Sequence, residues 1–146
     1  MRLIAHRGNI NGITKDENNP DYVYEAIKQG FDVEVDLRVF RDKLYLGHDE
    51  PQYEITLSLL QAMSKNLWVH CKDVDALHKL VASEVHYFWH QEDDYTLTSG
   101  GFVWVYPNKR LIKNSICVLP ENGYNGNIEE CYAICTDIPL AWSKDV

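Results

Sequence analysis

Glu34 and Asp36 stand two residues apart in the stretch FDVEVD at positions 31–36. On a strand that spacing puts both carboxylates on one face, opposite Phe31, Val33 and Val35. Like charges so close repel, and both pKa values rise unless a cation comes between them. A hard divalent ion, which prefers carboxylate oxygens, resolves the conflict. The competing reading is a solvated strand face, or ion pairs with Arg7 and Lys72. His70 and Lys72, in LWVHCK, share a face by the same rule. His70 is then the candidate third protein ligand, although imidazole is a less usual partner for magnesium than a carboxylate. Lys72 beside the ion would stabilise phosphate charge. His6 and His48 lie far apart in the chain but at equivalent strand edges. Two histidines flanking a phosphate divide the labour, one as base and one as acid; either order fits the sequence, and His6 is taken as the base and His48 as the acid. Either histidine alone reads as structural or merely exposed.

The elements that must bring these residues together follow from pattern. Residues 2–5 read as a short buried strand and 9–19 as a loop. Pro20 opens a helix with Val23, Ala26 and Ile27 on its apolar side, and Gly30 ends it. Residues 31–36 form the second strand, and 37–47 an extended excursion that turns near Arg41-Asp42-Lys43 and ends in Gly47-His48-Asp49. Thr56 caps a helix through Met63; 67–71 is a strand; Asp73 caps a helix over VDALHKLVAS. Further strands are read at 86–90, 102–107, 115–120 and 131–137, with 91–101 mostly loop. The early alternation of strand and helix predicts a parallel sheet with helices outside. In such folds the C-terminal strand ends cluster on one rim, where sites are built. His6, Arg7, Glu34, Asp36, His48, His70, Lys72, His90 and Asp137 all fall at such ends. About seven short strands in 146 residues point to an α/β fold of compact TIM-type (β/α) barrel, reduced or irregular in its second half, since a full barrel takes about 250 residues. An open α/β sheet is the alternative.

Composition narrows the function. The length fits one domain, residues 1–146. An apolar share of 45% argues for a packed core. The formal charge of −8 argues against general nucleic-acid binding, but not against a small anionic substrate, because a bound cation reverses the field locally. Cys71, Cys117, Cys131 and Cys135 form no CxxC pair and read as reduced buried thiols of a cytoplasmic protein. No stretch reaches transmembrane length, and nothing at the N-terminus reads as a signal peptide.

The combination IAHRG, Glu17-Asn18, Ala26 through Gly30, VEVD and GHD, in that order, resembles the glycerophosphodiester phosphodiesterase family, within the wider group of phosphatidylinositol phospholipase C-like barrels. The resemblance covers residues 3–49 and returns at ICTDIP, residues 134–139. It implies a TIM-type barrel that cleaves a small phosphodiester with a divalent cation, Mg2+ or Ca2+. Glu34 and Asp36 match its metal-binding acids, His6 and His48 its acid/base pair, Arg7 its phosphate-holding arginine, Lys72 the lysine of its third strand and Asn18 a site-facing asparagine. Two positions depart from the family pattern. His70 stands where the family has an acid. Only 17 residues separate Asp49 from Leu67, where the family carries a long insertion, so the mouth is expected to be open.

His90 is a candidate substrate contact. Trp104 and Tyr106, on one face of their strand, would line an aromatic pocket or plug the barrel. Glu121, after a strand and a proline, would face the pocket; Asp137 would bond a ligand or cap the rim. Three functional classes follow: a metal-dependent phosphodiesterase, a catalytically inactive barrel that binds a phosphorylated ligand or partner, or a metal hydrolase of another ester class, with Arg7 and Lys72 favouring phosphate. Oligomeric state has no sequence signal.

Overall fold

The computed structural model describes residues 1–144. Its organising feature is a curled sheet whose parallel strands run β1 (Arg2–His6), β2 (Asp32–Phe40), β5 (Leu67–Cys71), β6 (Tyr87–Trp89), β8 (Val103–Val105), β9 (Ser115–Val118) and β10 (Ala133–Thr136). Around the curl the order is β6-β5-β2-β1-β10-β9-β8, every neighbouring pair parallel. These are the seven strands expected from pattern. The sheet stays open between β6 and β8, so the architecture is an irregular, reduced α/β barrel. At the opening the Tyr87 and Trp89 carbonyls of β6 accept bonds from the Ser99 N–H (2.8 Å) and the Thr96 hydroxyl (2.6 Å) instead of joining a second backbone ladder.

Three further strands lie antiparallel. β3 (Lys43–Leu46) folds back on β2 through Arg41 and Asp42, both in the left-handed region, as the turn signal required. β4 (Tyr53–Ile55) extends that hairpin, and β7 (Tyr95–Leu97) pairs with β8. Neither β4 nor β7 carries a readable alternation; the 91–101 stretch expected as loop therefore contains a short edge strand.

The helices are α1 (Pro20–Lys28), α2 (Leu57–Ala62), α3 (Val74–Val81) and α4 (Pro139–Ser143). Their starts follow capping chemistry: the Thr56 hydroxyl accepts from the Leu59 N–H (3.1 Å), and the Asp73 carboxylate from the Ala76 N–H (2.8 Å). All but α4 precede β6. Outside the first half of the sheet, Val33, Val35, Leu37 and Val69 form one core with Val23 and Ala26 of α1 and Leu80 of α3. The second half is covered instead by loops and α4, with Cys117, Cys131 and Ile134 beneath them. The barrel interior holds Ile4, Trp68, Phe88, Trp104, Ile116 and Cys135. Aromatic side chains fill it where the strands are too few to close, and Phe88 and Trp104 stack across the opening at 4.4 Å. The four cysteines are buried and unbridged. Among the described residues no helix is long and apolar enough to cross a membrane.

Candidate functional site

Strand β2 sends Asp32, Glu34 and Asp36 into the barrel, and all three are buried. Depth separates them. Asp32 lies at the N-terminal end, where the Arg2 guanidinium (2.7 Å), the Trp68 indole N–H (3.0 Å) and the Asn66 amide (3.2 Å) all donate to it. It is a saturated structural anion. Glu34 and Asp36, 2% and 1% exposed, lie toward the C-terminal mouth. Asn18 grips Asp36 twice: its Nδ2 donates to the carboxylate (3.0 Å) and its Oδ1 accepts the Asp36 N–H (2.9 Å). Arg7 Nε is 3.3 Å from the same carboxylate. Glu34 has less help. Its Oε2 is buried with no hydrogen-bond partner among the described residues, and the nearest imidazole nitrogens are His6 Nε2 at 3.7 Å and His70 Nδ1 at 3.9 Å.

The protonation of the pair follows. Burial and then the charge of Asp36 push the Glu34 carboxyl up to about 7. Burial works the same way on Asp36, but the bond to His70 and the Arg7 charge outweigh it and hold Asp36 below its ordinary value. Below about pH 7, therefore, Asp36 stays ionised while Glu34 holds a proton.

His70 faces the pair. Its Nε2 lies 2.8 Å from the His90 carbonyl. A carbonyl only accepts, so Nε2 carries a hydrogen, and Nδ1 is left facing Asp36 Oδ1 at 3.4 Å and Glu34 Oε1 at 3.9 Å, where it can share a proton with Asp36 or offer its lone pair to a cation. A lone pair aimed at two carboxylates is repulsive without a proton or a cation between them. The three ligand atoms lie within 4.8 Å of one another. Ligands at right angles around a hard divalent ion stand about 3–3.5 Å apart for bonds of about 2.1–2.5 Å. The orphaned Glu34 oxygen, the Nδ1 aimed at both acids and this spacing fit a divalent cation, and a backbone carbonyl fixing the far ring nitrogen is the usual support for such a ligand.

A second group, His6, Glu17 and Asp137, also brings its ligand atoms within 4.8 Å. Here the space is already used. The Asn9 amide, fully buried, donates to Glu17 (2.7 Å) and to Asp137 (2.9 Å) and accepts from the Tyr22 hydroxyl (2.9 Å). His6 Nδ1 makes a 2.8 Å bond to Asp137. Burial lowers the His6 pKa, but the Asp137 bond and the Glu34 charge outweigh it, so the net shift is upward. Both groups can chelate geometrically, yet only the first has unsatisfied acceptors.

Cationic side chains face the acids. Arg7 follows β1 with φ +56°, a left-handed turn that swings its guanidinium back over β2. Lys72 follows β5 and makes no ion pair among the described residues. His48 sits on a tight loop after β3; its Nδ1 is 2.8 Å from Asp49, and its carbonyl accepts from Arg38. Gly47 is required there, because a Cβ at that position would meet the Glu50 carbonyl oxygen at 1.9 Å. Burial lowers the His48 pKa. His6, Arg7, Glu34, Asp36, His48, His70 and Lys72 line one cavity of about 210 Å³, with His90, Trp104 and Tyr106 on its wall. A polar chamber of about 190 Å³ adjoins it and shares Arg7 and His48. A larger groove, about 880 Å³, opens at the other end of the barrel beside Arg2 and Asp32 and holds none of these groups.

The catalytic and metal candidates from sequence thus meet at one mouth. Asn18 is there too, with its amide engaged on Asp36. Trp104 is 5% exposed and stacked on Phe88, forming the floor, whereas Tyr106 is 48% exposed at the rim. His90 borders the cavity, and its ring nitrogen is engaged by the Asp93 carbonyl. Glu121 reaches the end of β10 rather than the cavity. Asn9 is the site residue that sequence reading missed; an asparagine in a polar loop carries no signal of burial. No family model, curated protein or solved structure matches the chain. The site is therefore read from its own geometry.

Proposed function

We propose that this chain is a metal-dependent phosphodiester hydrolase acting on a small diester, of glycerophosphodiester type or related to it, by acid–base chemistry between His6 and His48. One observation carries the reading: two buried acids, one of them short of donors, share a cavity with Arg7, Lys72 and both histidines. An acid pair alone would suit many metal sites. The added guanidinium and ammonium suit a substrate that is anionic after the acids have been neutralised. The resemblance of IAHRG, VEVD and GHD to glycerophosphodiester phosphodiesterases supports the same class.

Glu34, Asp36 and His70 would hold the ion, Mg2+ or Ca2+. Bound there, it would supply Lewis-acid charge to a phosphoryl oxygen. Arg7 and Lys72 hold the remaining phosphoryl charge from the β1 and β5 ends. Asp137 accepts the His6 Nδ1–H, which leaves the Nε2 lone pair toward the cavity, as a base requires. His6 takes the proton of the attacking hydroxyl, and His48 gives one to the departing alkoxide. Trp104 and the Phe88 stack close the floor against water.

A second reading, an inactive barrel that binds a phosphorylated ligand, is favoured by one feature: His70 stands where the resembled family has an acid. A screen of glycerophosphodiesters, lysophospholipids and cyclic phosphates with Mg2+, Ca2+ or Mn2+ separates the two. Turnover that needs the cation and vanishes in H6A supports the hydrolase. Saturable binding of an uncleaved diester supports the second reading, and turnover indifferent to chelator removes the metal from the account.

A further inference from the structure

Asp137 is held from four directions. Its carboxylate takes His6 Nδ1 and the Asn9 amide, and its carbonyl accepts the Gly12 N–H (2.8 Å). Its own N–H donates to Glu121 Oε1 at 2.9 Å. The same Glu121 oxygen accepts the Thr136 hydroxyl, also at 2.9 Å. Thr136 is fully buried and accepts in turn from the Ile138 N–H (3.0 Å). One carboxylate oxygen thus clamps the backbone turn that aims Asp137 at His6.

The chain accepts two unfavourable features to put Glu121 there. Leu119, immediately before Pro120, is in the left-handed region at φ +51°, a conformation that a leucine adopts rarely. The second Glu121 oxygen, Oε2, is buried with no partner among the described residues. A buried acceptor left unmade is costly, and an ordinary loop would turn such a side chain to solvent. Glu121 lies on a short 3-10 turn, Pro120–Asn122, so no long helix forces its direction. Features of this kind persist where the surrounding structure needs the geometry they enforce.

We propose that Glu121 is a positioning residue for His6, fixing through the Thr136–Asp137 turn both the orientation and the tautomer of the imidazole. The inference rests on the phosphodiesterase reading only for its kinetic consequence. Glu121 does not line the cavity. It acts two steps away, because Asp137 can hold a hydrogen on His6 Nδ1 only while its own backbone is fixed. A loosened turn lets Asp137 swing and frees His6 to carry the hydrogen on Nε2, where it cannot serve as a base.

The test uses the full chain and the variants Glu121→Ala, Glu121→Gln and Thr136→Val, each checked for a cooperative unfolding transition. The first readout is the ring-nitrogen NMR spectrum of His6 at high pH, where the ring is neutral and its tautomer shows directly. Wild type and E121Q, whose amide oxygen can take the same two bonds, are expected to show hydrogen on Nδ1. E121A is expected to show a shift toward Nε2–H, and T136V a partial one. The second readout is steady-state turnover: E121A is expected to lose about a hundredfold in kcat, the scale of a misplaced reacting group, with KM little changed and E121Q restoring most of the loss. Should E121A fail to fold, T136V carries both readouts. An unchanged His6 tautomer in the folded variants overturns the proposal, as does a loss in E121A that E121Q does not restore. If no diester is cleaved by wild type, the phosphodiesterase reading falls and the tautomer alone decides the role of Glu121.

Discussion

Replacing Glu34 by glutamine separates the charge at this position from its shape. In the wild-type fold the carboxyl titrates near 7 against an ordinary 4.5. A folded pKa raised above the unfolded value means that the folded state holds its proton more tightly. The stability this contributes is complete below about 4.5 and is lost as pH rises to about 7. At about 1.4 kcal/mol per unit the loss reaches roughly 3 kcal/mol by pH 8. Glutamine keeps the volume and does not ionise. E34Q is therefore expected to match wild type near pH 4.5 and to exceed it by roughly 3 kcal/mol at pH 8 in chelator, a gap of about 6–12 °C in Tm for a chain of this size. A divalent cation narrows the difference. At a hundred times its Kd it adds about 2.7 kcal/mol to wild type and closes most of the gap, whereas E34Q, lacking one anionic ligand, responds weakly. Urea or thermal unfolding at pH 5 and pH 8, with chelator and with Mg2+ or Ca2+, reads all four combinations. The reasoning is refuted if E34Q is the less stable protein at pH 8 in chelator, or if the two proteins respond alike to the cation.

Three other outcomes follow from the same geometry. The histidine shifts run in opposite directions from 6.5, His48 down and His6 up, so with His6 as base and His48 as acid the competent ionisation is the minor one, and kcat/KM against pH is expected to be a low bell with one limb on each side of 6.5; a profile flat from pH 5 to 8 removes the histidine pair. Asp32→Ala leaves the Arg2 guanidinium and the buried Trp68 indole N–H without their acceptor, and urea titration is expected to show a loss of about 2–4 kcal/mol while the folded variant keeps its kcat. Gly47→Ala places a Cβ against the Glu50 carbonyl; the loop must open, His48 moves with it, and turnover is expected to fall about a hundredfold with a far smaller change in Tm.

Much of the fold was legible because local rules and tertiary packing agree. The seven parallel strands appear where apolar runs stand between turn signals, and Asp73 and Thr56 cap the helices that their positions announce. The antiparallel additions were partly hidden. β3 shows its turn at Arg41-Asp42, but β4 and β7 are three residues each, too short for alternation to register. α4 is five residues long and is tied to the loop after β1 by a bond from its Leu140 N–H to the Ile10 carbonyl, a contact between distant segments that no local pattern predicts. The open edge between β6 and β8 was equally invisible, since it depends on which backbone groups Ser99 and Thr96 reach.

The site divides along the same line. Alternation on β2 put Asp32, Glu34 and Asp36 on one face, and that was correct. Alternation has no information about depth, however, and depth decides their chemistry. Asp32 faces the end of the barrel where Arg2, Asn66 and Trp68 supply donors. Two residues on, Glu34 meets only imidazoles at 3.7 and 3.9 Å and the like charge of Asp36. The same carboxylate group on the same face thus becomes a structural anchor at one level and an unmet ligand at the next. The difference lies in the partners contributed by strands far away in sequence. The same reasoning separates the two chelating groups: Asn9 fills one and nothing among the described residues fills the other. A functional carboxylate in a small barrel is recognised by the donors it lacks, and that deficit appears only once every neighbouring strand is in place.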